Sequence, residues 1–189
     1  MVSAIADDSI FGIPAQRIAR IAGALYSVNI VTGLYSFFGP KSLLASACGL
    51  VGTVAYILIT ILLYFLFKPV NRSVSLIAAL FSMAGSVLGN WVFHVPSIPG
   101  VHFLVYFGFY CALIGYLIVR SSFMPRFVGV LMVCAGAGYL TFLWQPFGNS
   151  LVPYNYIPGF VGELTLTIWL LVKGVDQERW MEQAGTIAA

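Results

Sequence analysis

Charge is scarce in this chain. Nine Lys and Arg and six Asp and Glu make up 8% of 189 residues, whereas 60% of the residues are hydrophobic. Soluble globular chains carry roughly a quarter charged residues, so this composition excludes an ordinary water-soluble domain. Histidine occurs twice and cysteine three times. Cys48, Cys111 and Cys134 show no C-x-x-C spacing, which argues against a disulfide framework and leaves them as small packing residues. Two histidines, His94 and His102, flank one outer turn and could join in a metal or haem site, but they are too few for a typical zinc site and read first as interfacial residues. No H-E-x-x-H, nucleophile elbow, P-loop or dinucleotide fingerprint occurs. No metal and no cofactor is therefore expected. The formal charge of +3 comes from bases spread in ones and twos, with no basic stripe of the kind that binds nucleic acid.

What the chain does have is long apolar runs. A bilayer core of ~30 Å needs about 20 apolar residues per helix. Six stretches qualify, with a few residues of latitude at each end: Ile21–Phe38, Leu43–Phe67, Val74–Phe93, Val101–Val119, Phe127–Trp144 and Ile157–Val172. They are continuously apolar and lack the alternation of a membrane barrel. The expectation is an all-α integral membrane bundle of six transmembrane helices in a single domain, residues 1–189, with a short surface helix near 175–183 that places Trp180 in the headgroup region. Arg17 and Arg20 precede the first run, Lys68 and Arg72 fill the second link, Arg120 and Arg126 the fourth, and Lys173 and Arg179 follow the last, with Lys41 alone on the other side. Eight bases against one put both termini in the cytoplasm by the positive-inside rule, in a cell inner membrane. Ala45-Ser46-Ala47 resembles a leader cleavage site, but residues 1–16 carry Asp7 and Asp8 and no base, unlike the start of a leader.

The cytoplasmic links read as compact turns. Pro69 stops the second helix, Asn71 or Ser73 caps the third, and Pro125 suits the first turn of the fifth. The outer links, residues 94–100 and 145–155, are proline-rich, uncharged and aromatic. They fit either a lid over a cavity or rigid turns, with Trp91, Trp144, Tyr154 and Tyr156 as an interfacial belt. Gly85 with Gly89, Ala45 with Gly49, Gly108 with Ala112 and Gly115, and Gly159 with Gly162 sit at spacings that let helices approach closely in lipid.

Glu163 is the only charged residue inside an apolar run. At 1.5 Å rise per residue it lies ~12 Å below the outer end of the sixth helix, level with Asn29, Tyr106, Tyr110 and Tyr139 at about 9–15 Å in theirs. His102, Tyr106 and Tyr110 share a helix face by their i, i+4, i+8 spacing, and so do Asn90 and His94. Tyr26, Asn29 and Gly33 form a stripe on the first helix. Polar stripes facing lipid are costly, so these faces should turn inward around an outer-half cavity with Glu163 at its floor. Burial there disfavours the charged carboxylate, and a neutral Glu163 can donate a proton to a substrate. The alternative is a protonated carboxyl bonded to a backbone carbonyl that braces a helix.

Several segments resemble a bacterial family of small six-span membrane proteins classed only as a domain of unknown function. The matching pieces are Arg20-Ile21-Ala22-Gly23-Ala24-Leu25-Tyr26, Leu62-Leu63-Tyr64 with Lys68-Pro69-Val70-Asn71-Arg72, Gly115-Tyr116-Leu117-Ile118 with Arg120 and Pro125-Arg126, and Gly162-Glu163-Leu164 with Trp169-Leu170-Leu171-Val172-Lys173-Gly174-Val175. The resemblance implies a six-helix fold with Glu163 in the family pattern, and it implies no activity. A histidine frequent in the middle of the family's fourth helix is replaced here by Tyr110.

The leading functional expectation is a protein surrounded by membrane lipids that binds a lipophilic small molecule. In it Glu163, Tyr110, Tyr106 and Asn29 are the catalytic candidates. Tyr26, Asn90, His94, His102, Phe103, Phe107, Tyr139 and Trp144 are the candidate binding residues. Aromatic faces stabilise cations, so proton-initiated isomerisation or cyclisation of an isoprenoid-like substrate is chemically reasonable. The rivals are a small proton-coupled permease and a structural subunit. The sequence specifies no oligomeric partner.

Overall fold

The computed structural model describes residues 9–10, 13–89 and 101–188. A two-residue antiparallel pair, Ser9–Ile10 with Ile13–Pro14, precedes the first helix. Everything else regular is helical: α1 Ala15–Phe38, α2 Leu43–Phe67, α3 Arg72–Leu88, α4 Leu104–Arg120, α5 Arg126–Leu140, α6 Gln145–Ser150, α7 Ile157–Val172 and α8 Gln177–Ala188. Short 3-10 turns at Thr141–Leu143 and Tyr154–Tyr156 flank α6.

Four segments are long and apolar enough to cross a membrane: Ala15–Ser36, Leu43–Phe67, Arg126–Leu143 and Tyr154–Val172. Two apolar helices, α3 and α4, are shorter at 17 residues each. The expected continuation of α3 through residues 90–93 lies outside the described residues. Large apolar side chains such as Val31, Val54, Leu80, Val130 and Ile168 face outward, as a lipid environment requires.

The long helices pack in a ring, each against its neighbour in sequence, and α7 closes it against α1. We call the end that carries α8 the terminal end and its opposite the distal end. The seams follow small residues. A Cβ built on Gly115 would stand 2.6 Å from the carbonyl of Gly129, and one on Gly129 would stand 2.7 Å from that of Gly115. Gly136 meets the Gly108 carbonyl in the same way at 2.7 Å. The expected Gly108-Ala112-Gly115 stripe is thus the α4–α5 seam. Gly115→Ala should cost about 1–3 kcal/mol, because backbone rather than a flexible side chain must move. The check is a lowered thermal-unfolding midpoint in detergent, with Gly33→Ala, the same change where a Cβ meets nothing within 4 Å, as the comparison.

Below the middle of the ring the core is filled by Ile18, Ala22, Ile59, Leu63, Leu66, Ile114, Leu117, Met132, Leu166 and Leu170. Polar groups there are satisfied locally. Thr60 donates to the Tyr56 carbonyl at 2.8 Å, so the Ser82 hydroxyl donates to Thr60 at 2.6 Å.

Several boundaries differ from expectation. α1 starts six residues early, so Arg17 and Arg20 lie within it, exposed, while Ile18, Ala19 and Ala22 turn inward. The 145–155 link contains a helical turn, because Pro146 stands in the first turn, where its missing N–H costs nothing. The C-terminal helix is longer than expected, and Trp180 is not at a headgroup surface. It is 5% exposed, and its indole N–H donates to the Leu66 carbonyl at 2.9 Å. Gln16 also ties the terminal end: its side chain donates to the Lys173 carbonyl at 2.8 Å and accepts from Val175 N–H at 2.6 Å. Gly174 ends α7 in the left-handed region, φ +69°, and a Cβ there would strike Gln16. This gives Lys173-Gly174-Val175 a structural reason.

Candidate functional site

Above this core, on the distal side, lies a cavity of about 440 Å³. Its lining brings together Glu163 of α7, Asn29 of α1, Tyr139 of α5, Phe107 of α4 and Phe103 just before it, all expected from sequence. It also includes Thr53, which lies at the same depth in the second apolar run, and adds Ser36, Tyr56 and Ser86, which the sequence does not single out. The space exists because five lining positions, Gly33, Gly49, Gly52, Gly85 and Gly89, have no side chain. Gly85 and Gly89 are backed by the rings of Phe107 and Phe103, and a Cβ on Gly33 would meet nothing within 4 Å. Two of the glycines read as helix-packing residues, Gly85 and Gly89, therefore also seat the aromatic wall.

The wall is built edge to face. The Phe107 ring stands 5.2 Å from Tyr56 at 87° and 6.3 Å from Phe103 at 89°. Such arrangements match positive ring edges to negative faces. Tyr56 is 6% exposed, and its hydroxyl makes no hydrogen bond among the described residues. A buried unpartnered hydroxyl is costly, so a group in the cavity that accepts or donates there would be favoured.

Beneath the cavity Tyr26 and Tyr110 face each other with hydroxyls 2.8 Å apart, both fully buried, and both rings pack against Tyr56 at 5.7 and 5.9 Å. The Cys111 thiol lies 3.8 Å from the Glu163 carboxyl and donates to it. From sequence Cys111 reads as a small packing residue. Its i, i+4 spacing from Phe107, which places both on one face of α4, is the available signal. Thr167 donates to the Glu163 backbone carbonyl at 2.7 Å, one turn on in α7. Among the described residues no Lys or Arg lines the cavity, so no side-chain cation there balances an ionised Glu163.

Three expected residues stand elsewhere. Tyr106 is turned toward α3, its ring 6.4 Å from Phe81. His102 is stacked on Phe142 at 4.4 Å and Phe103 at 4.9 Å, and its Nδ1 accepts from Leu104 N–H at 3.3 Å. It organises the start of α4. Trp144 is 67% exposed and stacks on Phe147. Asn90 and His94 lie outside the described residues. Among the described residues no cluster of three His, Cys, Asp or Glu side chains has a metal-holding arrangement.

Residues 100–174 match the profile of a family described as Domain of unknown function (DUF4386). That stretch contains the Gly115–Ile118, Pro125-Arg126, Gly162–Leu164 and Trp169–Gly174 pieces of the resemblance. The two earlier pieces fall before it. A protein of Archaeoglobus fulgidus named only "Uncharacterized protein" is 22% identical over 160 residues, covering 82% of this chain and 93% of its own. No solved structure matches the chain.

Proposed function

We propose that this chain is a six-span membrane protein with both termini in the cytoplasm, and that it binds a lipophilic small molecule in the distal cavity. Eight of nine bases at the terminal end support the orientation. The outward-facing Leu76, Ile77, Leu80 and Val87 of α3, and the apolar composition of α4, support two further spans beside the four long ones. One observation carries the functional reading: a cavity of ligand size, about 440 Å³, that sets an intramembrane carboxyl against aromatic rings. Ligand pockets run from ~300 to 1,000 Å³, mostly apolar with a few converging polar groups.

Within this reading Glu163 is the proton carrier and the Tyr56, Asn29 and Tyr139 side chains orient the polar end of the ligand. A proton delivered from the carboxyl to a double bond, and a different proton returned to the carboxylate, isomerises or cyclises an alkene with no net change in atoms. The rings of Phe103 and Phe107 stabilise the intervening cation. The permease reading draws less support, because the terminal half beneath Glu163 is closed by apolar packing.

Gly33→Leu tests the binding claim. A Cβ there meets nothing within 4 Å, and leucine is a far better helix former than glycine, so the fold should be kept. Organic extraction and mass spectrometry of purified protein should recover a lipophile with the wild type, and less than about a tenth as much with Gly33→Leu, a loss worth roughly 1.4 kcal/mol. Equal recovery from both would overturn the assignment.

A further inference from the structure

A second concave site lies at the terminal end, where α3 begins, α4 ends and α5 begins. It has a volume of about 240 Å³ and is lined by Val70, Asn71, Tyr116, Val119, Arg120, Arg126 and Gln183. We propose that it is a phosphate-binding site, and that its ligand is the phosphodiester of an anionic membrane lipid.

The hydrogen-bonding groups that line it are almost all donors. Arg120 closes α4 and Arg126 opens α5. Among the described residues neither is paired with a carboxylate, the observed ion pair being Arg179 with Asp176. The two amides in the lining have their oxygens already engaged. Asn71 Oδ1 caps α3 by accepting from Val74 N–H at 3.0 Å. Gln183 Oε1 accepts from both the backbone N–H and the hydroxyl of Ser122 at 3.1 Å. An amide held by its oxygen has only its NH₂ group left to offer. Two arginines, two amides held by their oxygens and Tyr116 thus line one concavity, and no carboxylate of the described residues lines it. A set made almost wholly of donors recognises an anion, and the planar arginine fork matches phosphate oxygens two at a time.

The lipid source is favoured by what adjoins the donors. Tyr116, 45% exposed, and Val119 continue the site onto the outward face of α4, where acyl chains lie. Basic pockets between helices near a membrane surface hold lipid headgroups in this way. The proposal is independent of the distal ligand.

The test is native mass spectrometry of the full-length protein titrated with phosphatidylglycerol and phosphatidylcholine, with and without excess inorganic phosphate. The wild type should prefer phosphatidylglycerol. Arg120→Gln with Arg126→Gln should weaken that binding by about tenfold or more. Asn71→Asp guards against a folding artefact, since aspartate caps a helix as well as asparagine but replaces the NH₂ donor by a charged oxygen. It should weaken binding as well. Arg17→Gln with Arg20→Gln removes the same charge from the same end outside the site and should leave binding within about twofold. Resistance to inorganic phosphate supports the lipid as ligand. Displacement by inorganic phosphate, lost in the same variants, keeps the phosphate site but overturns the lipid as its source. Equal weakening in the pocket and control pairs, or none in either, overturns the site itself.

Discussion

Trp180→Ala is expected to cost about 3–5 kcal/mol of stability, the range for truncating a buried tryptophan. The last four carbonyls of a helix lack partners within it, and in α2 three of them are met as follows. Tyr64 accepts from Lys68 N–H and the Ser75 hydroxyl, Phe67 from Val70 N–H, and Leu66 from the Trp180 indole across 114 residues of chain. The indole also fills space within the central core cluster. Alanine would leave both a void and an orphaned carbonyl. Trp180→Phe retains most of the volume and loses only the hydrogen bond, so it should cost nearer 1 kcal/mol. Thermal or denaturant unfolding in one detergent, compared across the three proteins, checks the ordering. A Trp180→Ala protein as stable as wild type would mean that α8 does not dock on α2.

Glu163→Gln is expected to leave the fold intact and to remove chemistry. Glutamine has the same shape and can still accept from the Cys111 thiol, which now stands 3.8 Å from the carboxyl. It cannot deliver a proton. For a group acting as general acid the loss in turnover is about 10²–10⁴-fold, read on the lipophile that co-purifies with the protein. Binding of that lipophile should change far less than turnover, because the aromatic wall of Phe103, Phe107 and Tyr56 is untouched. Full turnover in Glu163→Gln would remove the proton role and leave the carboxyl as a helix brace. The bracing alternative makes a different prediction, a loss of stability with little change in the ligand.

The parts of this account that were legible in the sequence are those governed by a single helix. α2 and α7 have the expected ends, Leu43–Phe67 and Ile157–Val172, because Ser42 caps the one and Pro158 starts the other. Depth arithmetic along separate helices put Asn29, Tyr139 and Glu163 at one level, and all three line the cavity. Rotation about each helix was less legible. Residues four apart drift by about 40° at 3.6 residues per turn. Tyr110 points to the centre while Tyr106 swings to Phe81. Tyr56 was missed because a tyrosine in a run as continuously apolar as Leu43–Phe67 gives little sign of which way it faces. Its role comes from the neighbours that two other helices bring to it, Tyr26 of α1 and Phe107 and Tyr110 of α4. The start of α1 was misjudged because arginine was read as a boundary, whereas Arg17 and Arg20 occupy the exposed face of a helix whose other face is buried. Trp180 was read as an interfacial anchor for the same kind of reason, since composition does not reveal that α8 folds back beneath the ring.

The central claim is that a lipophilic molecule occupies the space above Glu163. Photolabelling tests it most directly. A diazirine-bearing isoprenoid analogue would be photolysed with the purified protein and its adducts mapped by peptide mass spectrometry. The account predicts labelling at Glu163 and on the aromatic wall at Phe107 or Tyr139, saturable by unlabelled analogue and lost in Gly33→Leu. Labelling confined to outward-facing positions such as Val130 and Ile168, and indifferent to competitor, would contradict it.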